Sequence, residues 1–489
     1  MNLVVLIPSA DYANNAGARI RYSRLVESLA DAGIQLRLVP IDAFDPLKAN
    51  CDVAMVSKVY DARALVVAAA LAQRGVSVGV DLFDDYFSQE EDSRLCRYRS
   101  WLRQMLRQSD IALCSTPVLA DVIGRYRGDI PVHVLRDPAP KFDVGALTAR
   151  LAGKLARVGA EGVLRVCWFG IGDNPYFPVG LSDLAAFRES LAALAKRMPV
   201  ELTVLTNKRA LDQSGLAMIG QLSLPVTVEE WSEQRESEIL ARSFLCFLPV
   251  NAQPFSVAKS LNRALTALTA GCQVLSVGFP LYAELDEWIY RDPESLLRDL
   301  EGERLRLSSS SLPALASKIG DIASPGREAG SLAKFLDDRR ADLRSTEYPA
   351  GPIALLHGLG TTQAAHAAIK QAGGISIATP FCTTQLEVDA IVELGPAGRT
   401  ALTVARNAFS RLKAEWRKQA AAQKTGRRNF ARIMGGRGFE RKESAISLAL
   451  QLSLYDHVME NSLSMVTEAF GPSVILVSED FPLFFERAI

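Results

Sequence analysis

Short apolar, β-branched runs alternate with helix-patterned stretches along most of this chain, and the alternation starts over midway. LVVLI, IQLRLV, VAMVS, VSVGVDLF, IALCST and VHVLRD follow one another with room for helices between them, the first helix being ARIRYSRLVESLADAG. A charged helix over Leu147–Gly162, ended by Gly159 and Gly162, reads as a crossover. LRVCWFG, ELTVLTN, VTVEEW, FLCFLPV and QVLSVG then repeat the pattern. Strands that are apolar on both faces and separated by helices form parallel sheets covered on both sides. The expected class is α/β, with two Rossmann-like doubly wound domains over residues 1–150 and 155–346. A smaller C-terminal α/β domain over 350–489 is expected from four further strand-like runs, PIALLHG, GISIATPF, VDAIVEL and SVILVSED.

At 489 residues the chain exceeds what one core supports. Lysine plus arginine and aspartate plus glutamate balance at 55 each, so no overall field draws it to nucleic acid or a membrane, and any electrostatic role is local. The seven cysteines (51, 96, 114, 167, 246, 272 and 382) are scattered and form no CxxC. Neither structural zinc nor a disulfide framework is expected; Cys114, Cys167 and Cys246 fall in apolar runs and read as small core hydrophobes. MNLVVLIPS lacks the basic flank and the length of a signal peptide and reads as a first strand. No uncharged run reaches the length of a membrane-spanning helix, so the expected setting is cytoplasmic.

The stretch Pro254–Gly278, PFSVAKSLNRALTALTAGCQVLSVG, reads as loop, helix and buried parallel strand. Ser256 is the expected N-cap, Lys259 and Arg263 lie four apart on one face, and Gly271 closes the helix. A helix start offers unpaired N–H groups and a positive dipole end. With two cations added, it is either a phosphate cradle or a core helix with solvated charges. In the first βα turn Asn14, Asn15 and Gly17 allow close backbone approach, although GxGxxG is absent; Arg19 and Arg21 either reach a ligand or face water. Asp81, Asp84 and Asp85 follow a strand, where a carboxylate serves as a base, binds a divalent metal or caps the next helix. Lys58 and Asp61 carry the same ambiguity. In the second domain Gly170-x-Gly172 with Asn174, then Thr206, Asn207 and Lys208, then Trp231 and Ser232, all follow strands. Trp231 either stacks on a base or closes the core edge. With the Lys259–Arg263 segment these groups converge on one sheet edge, which favours a diphosphate site.

Two similar α/β domains facing each other across a cleft, the second ending in this segment, resemble the GT-B glycosyltransferases. The likeness covers roughly residues 1–345 and is most specific between Trp231 and Gly278. Lys259, Ser260, Asn262 and Arg263, with Ala270, Gly271 and Val274 behind them, look like that family's donor-phosphate segment. IPS…GARIRYSRL is similar to its first βα unit, and TVEEWS…LARSFLCFLPV to its base-contacting strand and the buried strand after it. The resemblance implies that the second domain binds a nucleotide-sugar, a UDP- or GDP-sugar. Trp231 would lie near the base, Gly170 and Gly172 near the diphosphate with Asn174, Thr206 and Asn207 around them, and Lys259, Ser260 and Arg263 on phosphate oxygens. The first domain would carry a glycan or lipid-linked acceptor, with Gly17 near the donor phosphates. Neither a metal nor another cofactor is implied, because Lys259 and Arg263 would stabilise the departing diphosphate. Many retaining members carry two glutamates in this segment, where Ala258 and Thr266 stand here, and a lysine after the glycine loop, where Pro178 and Val179 stand. Asp81, Asp84 and Asp85 are the candidate bases, and His133 reads as structural. The implied activity is sugar transfer in surface polysaccharide or glycolipid assembly. A nucleotide-sugar epimerase and a non-catalytic scaffold of the same fold are the alternatives.

In the third segment His357 follows a strand, and Thr361 or Thr362 caps the next helix, without a GxSxG elbow. Residues 424–442, KTGRRNFARIMGGRGFERK, hold seven basic residues and one acidic residue, interleaved with Phe430, Ile433, Met434 and Phe439. Such a stretch either seats the chain on the inner face of an anionic membrane or against a phosphorylated acceptor, or is a solvated loop. No nucleic-acid-binding module accompanies it.

Overall fold

The computed structural model describes residues 1–339 except 47 and 91, and beyond them 353–356, 363–372, 374–378, 388, 390–391 and 475–477. The first sheet holds β1 (Asn2–Ile7), β2 (Gln35–Pro40), β3 (Val53–Ser57), β4 (Ser77–Leu82), β5 (Ile111–Cys114) and β6 (Val132–Val134). All its pairs are parallel, in the order β2-β1-β3-β4-β5-β6. Every residue of β3 and β4 is buried, as helices on both faces require. The second sheet holds β7 (Leu164–Phe169), β8 (Val200–Thr206), β9 (Val226–Glu230), β10 (Leu245–Phe247), β11 (Gln273–Leu275) and β12 (Ile289–Tyr290). It too is parallel throughout, in the order β12-β11-β10-β7-β8-β9. Every strand-like run of the two domains forms a strand. Only β12 escaped notice, because a two-residue edge strand carries no periodicity.

The strand orders matter for function. The first sheet reverses its direction of growth between β1 and β3, the second between β7 and β10. Loops leaving such neighbours diverge to opposite faces and open a crevice at the carboxyl ends of the strands. The crevice residues are thereby fixed: those after Ile7 and Ser57 in one sheet, those after Phe169 and Phe247 in the other.

The opening segment departs from expectation. Pro254–Val257 forms one short turn, the chain breaks over 258–261, and the helix proper is Asn262–Thr269. Ser256 caps nothing; its hydroxyl donates to Asn251 Oδ1 at 2.9 Å, and Pro254 starts the turn instead. Lys259 and Arg263 therefore do not share one helical face. Gly271, at φ 75°, does end the helix. The crossover helix is Val144–Glu161, running through Gly159 and ending at Gly162. Its Leu147 and Leu151 pack in the second domain's core. Its buried Lys154 donates to the Leu240 and Ala270 carbonyls at 2.7 and 2.9 Å, satisfying orphan acceptors at two helix ends.

The helix Pro325–Arg339 returns to the first sheet, where Ala329, Leu332 and Leu336 join Leu3, Val5 and Leu29 in one core. A third parallel sheet runs Ala390–Ile391, Ile375–Ala378, Ile353–Leu356, Ile475–Val477. All four strands expected of that segment are present. Ala354, Leu356 and Ile369 share a core with Leu65, Ala68 and Leu71 of the first domain. His357, Thr361, Thr362 and 424–442 lie outside the described residues. Among the described residues, no helix is long and apolar enough to cross a membrane.

Leu332→Ala is expected to lower stability by about 2–5 kcal/mol, read as a lower urea midpoint at unchanged slope. A loss below about 1 kcal/mol would show that this helix does not complete the first core.

Candidate functional site

β7 ends at Phe169, and the chain turns at Gly170 with φ 150°, a conformation L side chains rarely adopt. A Cβ on Gly170 would lie 3.3 Å from Arg263 Cζ, so the missing side chain lets the guanidinium lie against the loop. The Thr206 hydroxyl donates to the Gly170 carbonyl at 2.9 Å, and Asn207 Oδ1 accepts the Gly172 amide at 2.9 Å. The Gly170 amide bonds Leu205. Thr206 and Asn207 thus brace the loop, and the two glycine amides are committed within the protein.

Arg263 differs. Its Cζ lies 5.3 Å from the Trp168 ring centroid and 5.6 Å from that of Phe169, and its Nε and Nη2 are buried without a hydrogen-bond partner. An unmade buried hydrogen bond costs about 1–3 kcal/mol, which the contact with two rings offsets in part. Beside it, at the start of the helix Leu181–Ala186, Asp183 accepts from the Gly180 amide at 3.0 Å and from Asn251 Nδ2 at 2.5 Å. Burial drives the Asp183 carboxyl up to about 6, against the pull of these donors and of Arg263.

Lys259 and Ser260 already have partners in the first domain. The Asp84 carboxylate sits between two ammonium groups, Lys259 on one oxygen and Lys58 on the other. Burial alone would raise Asp84, but the two lysines outweigh it and hold the carboxyl down at about 2. Burial likewise lowers the Lys58 ammonium while Asp84 works to restore it. The Ser260 hydroxyl donates to Asp137 Oδ2 at 2.6 Å, and Asn262 Nδ2 donates to Ser260 Oγ at 3.2 Å. Asp137, just past β6, also lies 3.3 Å from Arg21 Nη1.

Two acids read as bases or metal ligands are otherwise engaged. Asp81 is fully buried and held by Arg21 through Nε at 2.9 Å and Nη2 at 2.5 Å, with the Tyr22 hydroxyl at 2.6 Å. Arg21, read as solvated or ligand-reaching, is 1% exposed; its partner lies 60 positions away, beyond any local pattern. Asp85 caps its own turn, accepting the Phe87 and Ser88 amides at 3.0 and 2.9 Å. Among the described residues, no three His, Cys, Asp or Glu side chains are grouped to hold a metal. Gly17 lies under aromatic rings, since a Cβ there would meet Tyr12 Oη at 3.0 Å and Phe83 at 3.5 Å. His133 stacks on Phe335 with ring centroids 5.0 Å apart.

The domains also meet at two aromatic contacts. Trp231 donates to Glu236 Oε2 at 2.7 Å, and Arg19 of the first domain lies 5.6 Å from its ring while pairing with Glu233. Asn174 accepts the Tyr176 amide at 2.9 Å and lies 3.4 Å from the Tyr86 hydroxyl. Tyr86 packs on Tyr176, Phe177 and Phe255, the last two stacked at 4.5 Å. Sequence reading missed this seam, whose only trace is the clustering of aromatics in FDDYF and NPYF.

Asp84→Asn is expected to destabilise the protein by about 3–5 kcal/mol, because it strands the buried Lys58 charge. Lys259→Ala keeps the Lys58–Asp84 pair and should cost much less in the same denaturation experiment. Equal losses would refute the two-lysine arrangement. Asp183 gives a pH test. Its folded pKa lies above its ordinary 3.8, so the stability it contributes is fully present below that value and is lost as pH rises through about 6. Relative to Asp183→Asn, the wild type should therefore lose melting temperature across that window; parallel curves would show that Asp183 is not perturbed.

No protein-family model matches the chain, and a search of curated proteins finds no relative. Among solved structures the chain is similar to sucrose-phosphate synthase from Thermosynechococcus elongatus, at 12% identity over 70% of this chain and 99% of that one, with a TM-score of 0.47. It is similar to Anabaena HepE in complex with UDP, at 12% identity over 69% and 100% of the two chains, with a TM-score of 0.46. It is also similar to an α,α-trehalose-phosphate synthase (UDP-forming) from Burkholderia vietnamiensis, at 13% identity over 70% and 97%, with a TM-score of 0.43.

Proposed function

We propose that this chain is a GT-B-type glycosyltransferase that binds a nucleotide-sugar at the mouth of the second sheet and transfers the sugar to an acceptor on the first domain. The observation that carries the reading is Arg263, whose buried guanidinium faces the Gly170 turn with two donor nitrogens unused. A diphosphate there would accept from both, and the same contact would stabilise the charge that grows on the leaving nucleoside diphosphate as the glycosidic bond breaks. Lys259 would add a second cation on release from Asp84, so leaving-group stabilisation needs no metal. A glycan or lipid-linked acceptor, in surface polysaccharide or glycolipid assembly, fits this reading.

A second reading, a nucleotide-sugar-binding protein without turnover, is favoured by the state of the acids. Asp81 is locked to Arg21, Asp85 caps a turn, and Asp84, held at about 2, is a weak proton acceptor. Replacing Lys259 and Arg263 by alanine together is expected to abolish calorimetric binding of UDP and GDP while leaving the fold intact by circular dichroism. Undiminished affinity would overturn both readings. Sugar transfer by the wild type, measured across donors and acceptors, would decide between them.

A further inference from the structure

A second cationic site lies in the first domain, away from the crevice. The carboxyl ends of the helices Cys96–Arg107 and Pro117–Tyr126 border a pocket of about 370 Å³, within the size range of small-molecule sites. Arg103, Arg107, Arg125, Arg127, Tyr126 and Glu90 line it. Helix ends carry orphan carbonyls, and one arginine answers part of that need here. Arg127 donates to the Leu106 and Ser109 carbonyls at 2.5 and 2.7 Å and pairs with Asp129.

Among the described residues, the other three guanidiniums donate to no helix-end carbonyl, although Arg107 and Arg125 lie in the last turns, where a cation is favoured. Among the described residues, Arg103, Arg107 and Arg125 form no ion pair with any carboxylate. Arg103 packs 5.4 Å from the Tyr126 ring, and its Nη1 is buried with no partner. The Tyr126 ring is itself held in place, its hydroxyl donating to the Phe87 carbonyl at 2.7 Å. Among the described residues that line the pocket Glu90 is the one carboxylate, so three unpaired cations against one acid leave a surplus of two positive charges. In a chain whose cations and acids balance overall, this surplus is local.

We infer that this pocket binds a phosphate monoester dianion, with Arg103 at its floor and Arg107 and Arg125 at its rim. The dianion matches the surplus charge, and guanidinium forks hold phosphate oxygens with paired N–H donors. The phosphate can belong to a soluble sugar phosphate or to a lipid headgroup; the recognition chemistry is the same.

The test is calorimetry of the full chain carrying Lys259→Ala and Arg263→Ala, which removes the contribution of the crevice, titrated with inorganic phosphate. Binding is expected, and adding Arg103→Gln with Arg125→Gln should weaken it by at least about tenfold. Arg107→Glu, at an exposed position where folding is not at stake, should weaken it as well, and Glu90→Gln should tighten it. No binding in the crevice-deficient chain, or binding that these rim and floor substitutions leave unchanged, overturns the inference. Glucose 6-phosphate in calorimetry, and phosphatidylcholine vesicles with and without phosphatidic acid in co-sedimentation, identify the source. Arginine-dependent binding to either supports the pocket; retention on neither, with phosphate binding also absent, refutes it.

Discussion

Where the two parallel sheets bring cationic strand exits together, the Asp84 carboxylate lies between them. Lys58 comes from the β3 exit, Lys259 from the segment after β10, and Asp84 from the loop after β4, so the ion group ties three elements of two domains. A lone buried carboxylate costs several kcal/mol of desolvation, and paired on both oxygens it becomes tolerable. The remaining contacts across the crevice share this character. Ser260 meets Asp137, Arg19 meets Glu233 over Trp231, and Thr116 donates to the Ala258 carbonyl at 3.1 Å. On the proposed reading, a phosphate-bearing ligand would have to compete with Asp84 for Lys259.

Strand order explains why these groups meet. A doubly wound sheet opens only where its growth reverses, and each sheet here reverses once, at β1/β3 and at β7/β10. Lys58 leaves the first of these points in the left-handed region at φ 61°, uncommon for a side chain that is neither glycine nor asparagine. Its ammonium lies 4.3 Å from the Phe83 ring as well as on Asp84, and these contacts offset the backbone cost. At the second point the unusual conformation is that of Gly170, which glycine adopts freely, and the group it admits is Arg263. In both sheets a backbone irregularity at the switch point sets the position of a cation.

The sheets were legible because their strands are buried on both faces, which writes continuous β-branched runs into the chain, while a two-residue edge such as β12 writes nothing. The placement of charge was not legible. Arg21 and Asp81, or Asp84 and Lys259, are partners across 60 and 175 positions, and no local spacing announces them. Ser256 has the composition of an N-cap, but Pro254 began the turn earlier and Asn251 took the hydroxyl. Asp183 gave no signal at all: it is one of many acids in helical pattern, and its raised pKa comes from burial that only the tertiary fold supplies. By contrast the contact of Gly170 with Arg263 was legible, because residues after strands of one parallel sheet share an edge.

The positions that depart from the GT-B pattern show what the chain has done with them. Ala258 is 1% exposed and packs with Phe177 and Phe255 in the first domain's core, so a glutamate there would place a carboxylate inside the aromatic seam. Thr266, on the helix Asn262–Thr269, is buried as well. Ala258 serves domain closure. The acids that could replace those glutamates are spent in the same way, Asp81 on Arg21 and Asp84 on the two lysines. Closure of the crevice and provision of a reactive carboxylate thus draw on the same residues, and in this arrangement closure has taken them. What is left unspent at the switch point of the second sheet is a donor, Arg263. A guanidinium donates and accepts no proton, so Arg263 is suited to holding an anion and not to deprotonating a hydroxyl.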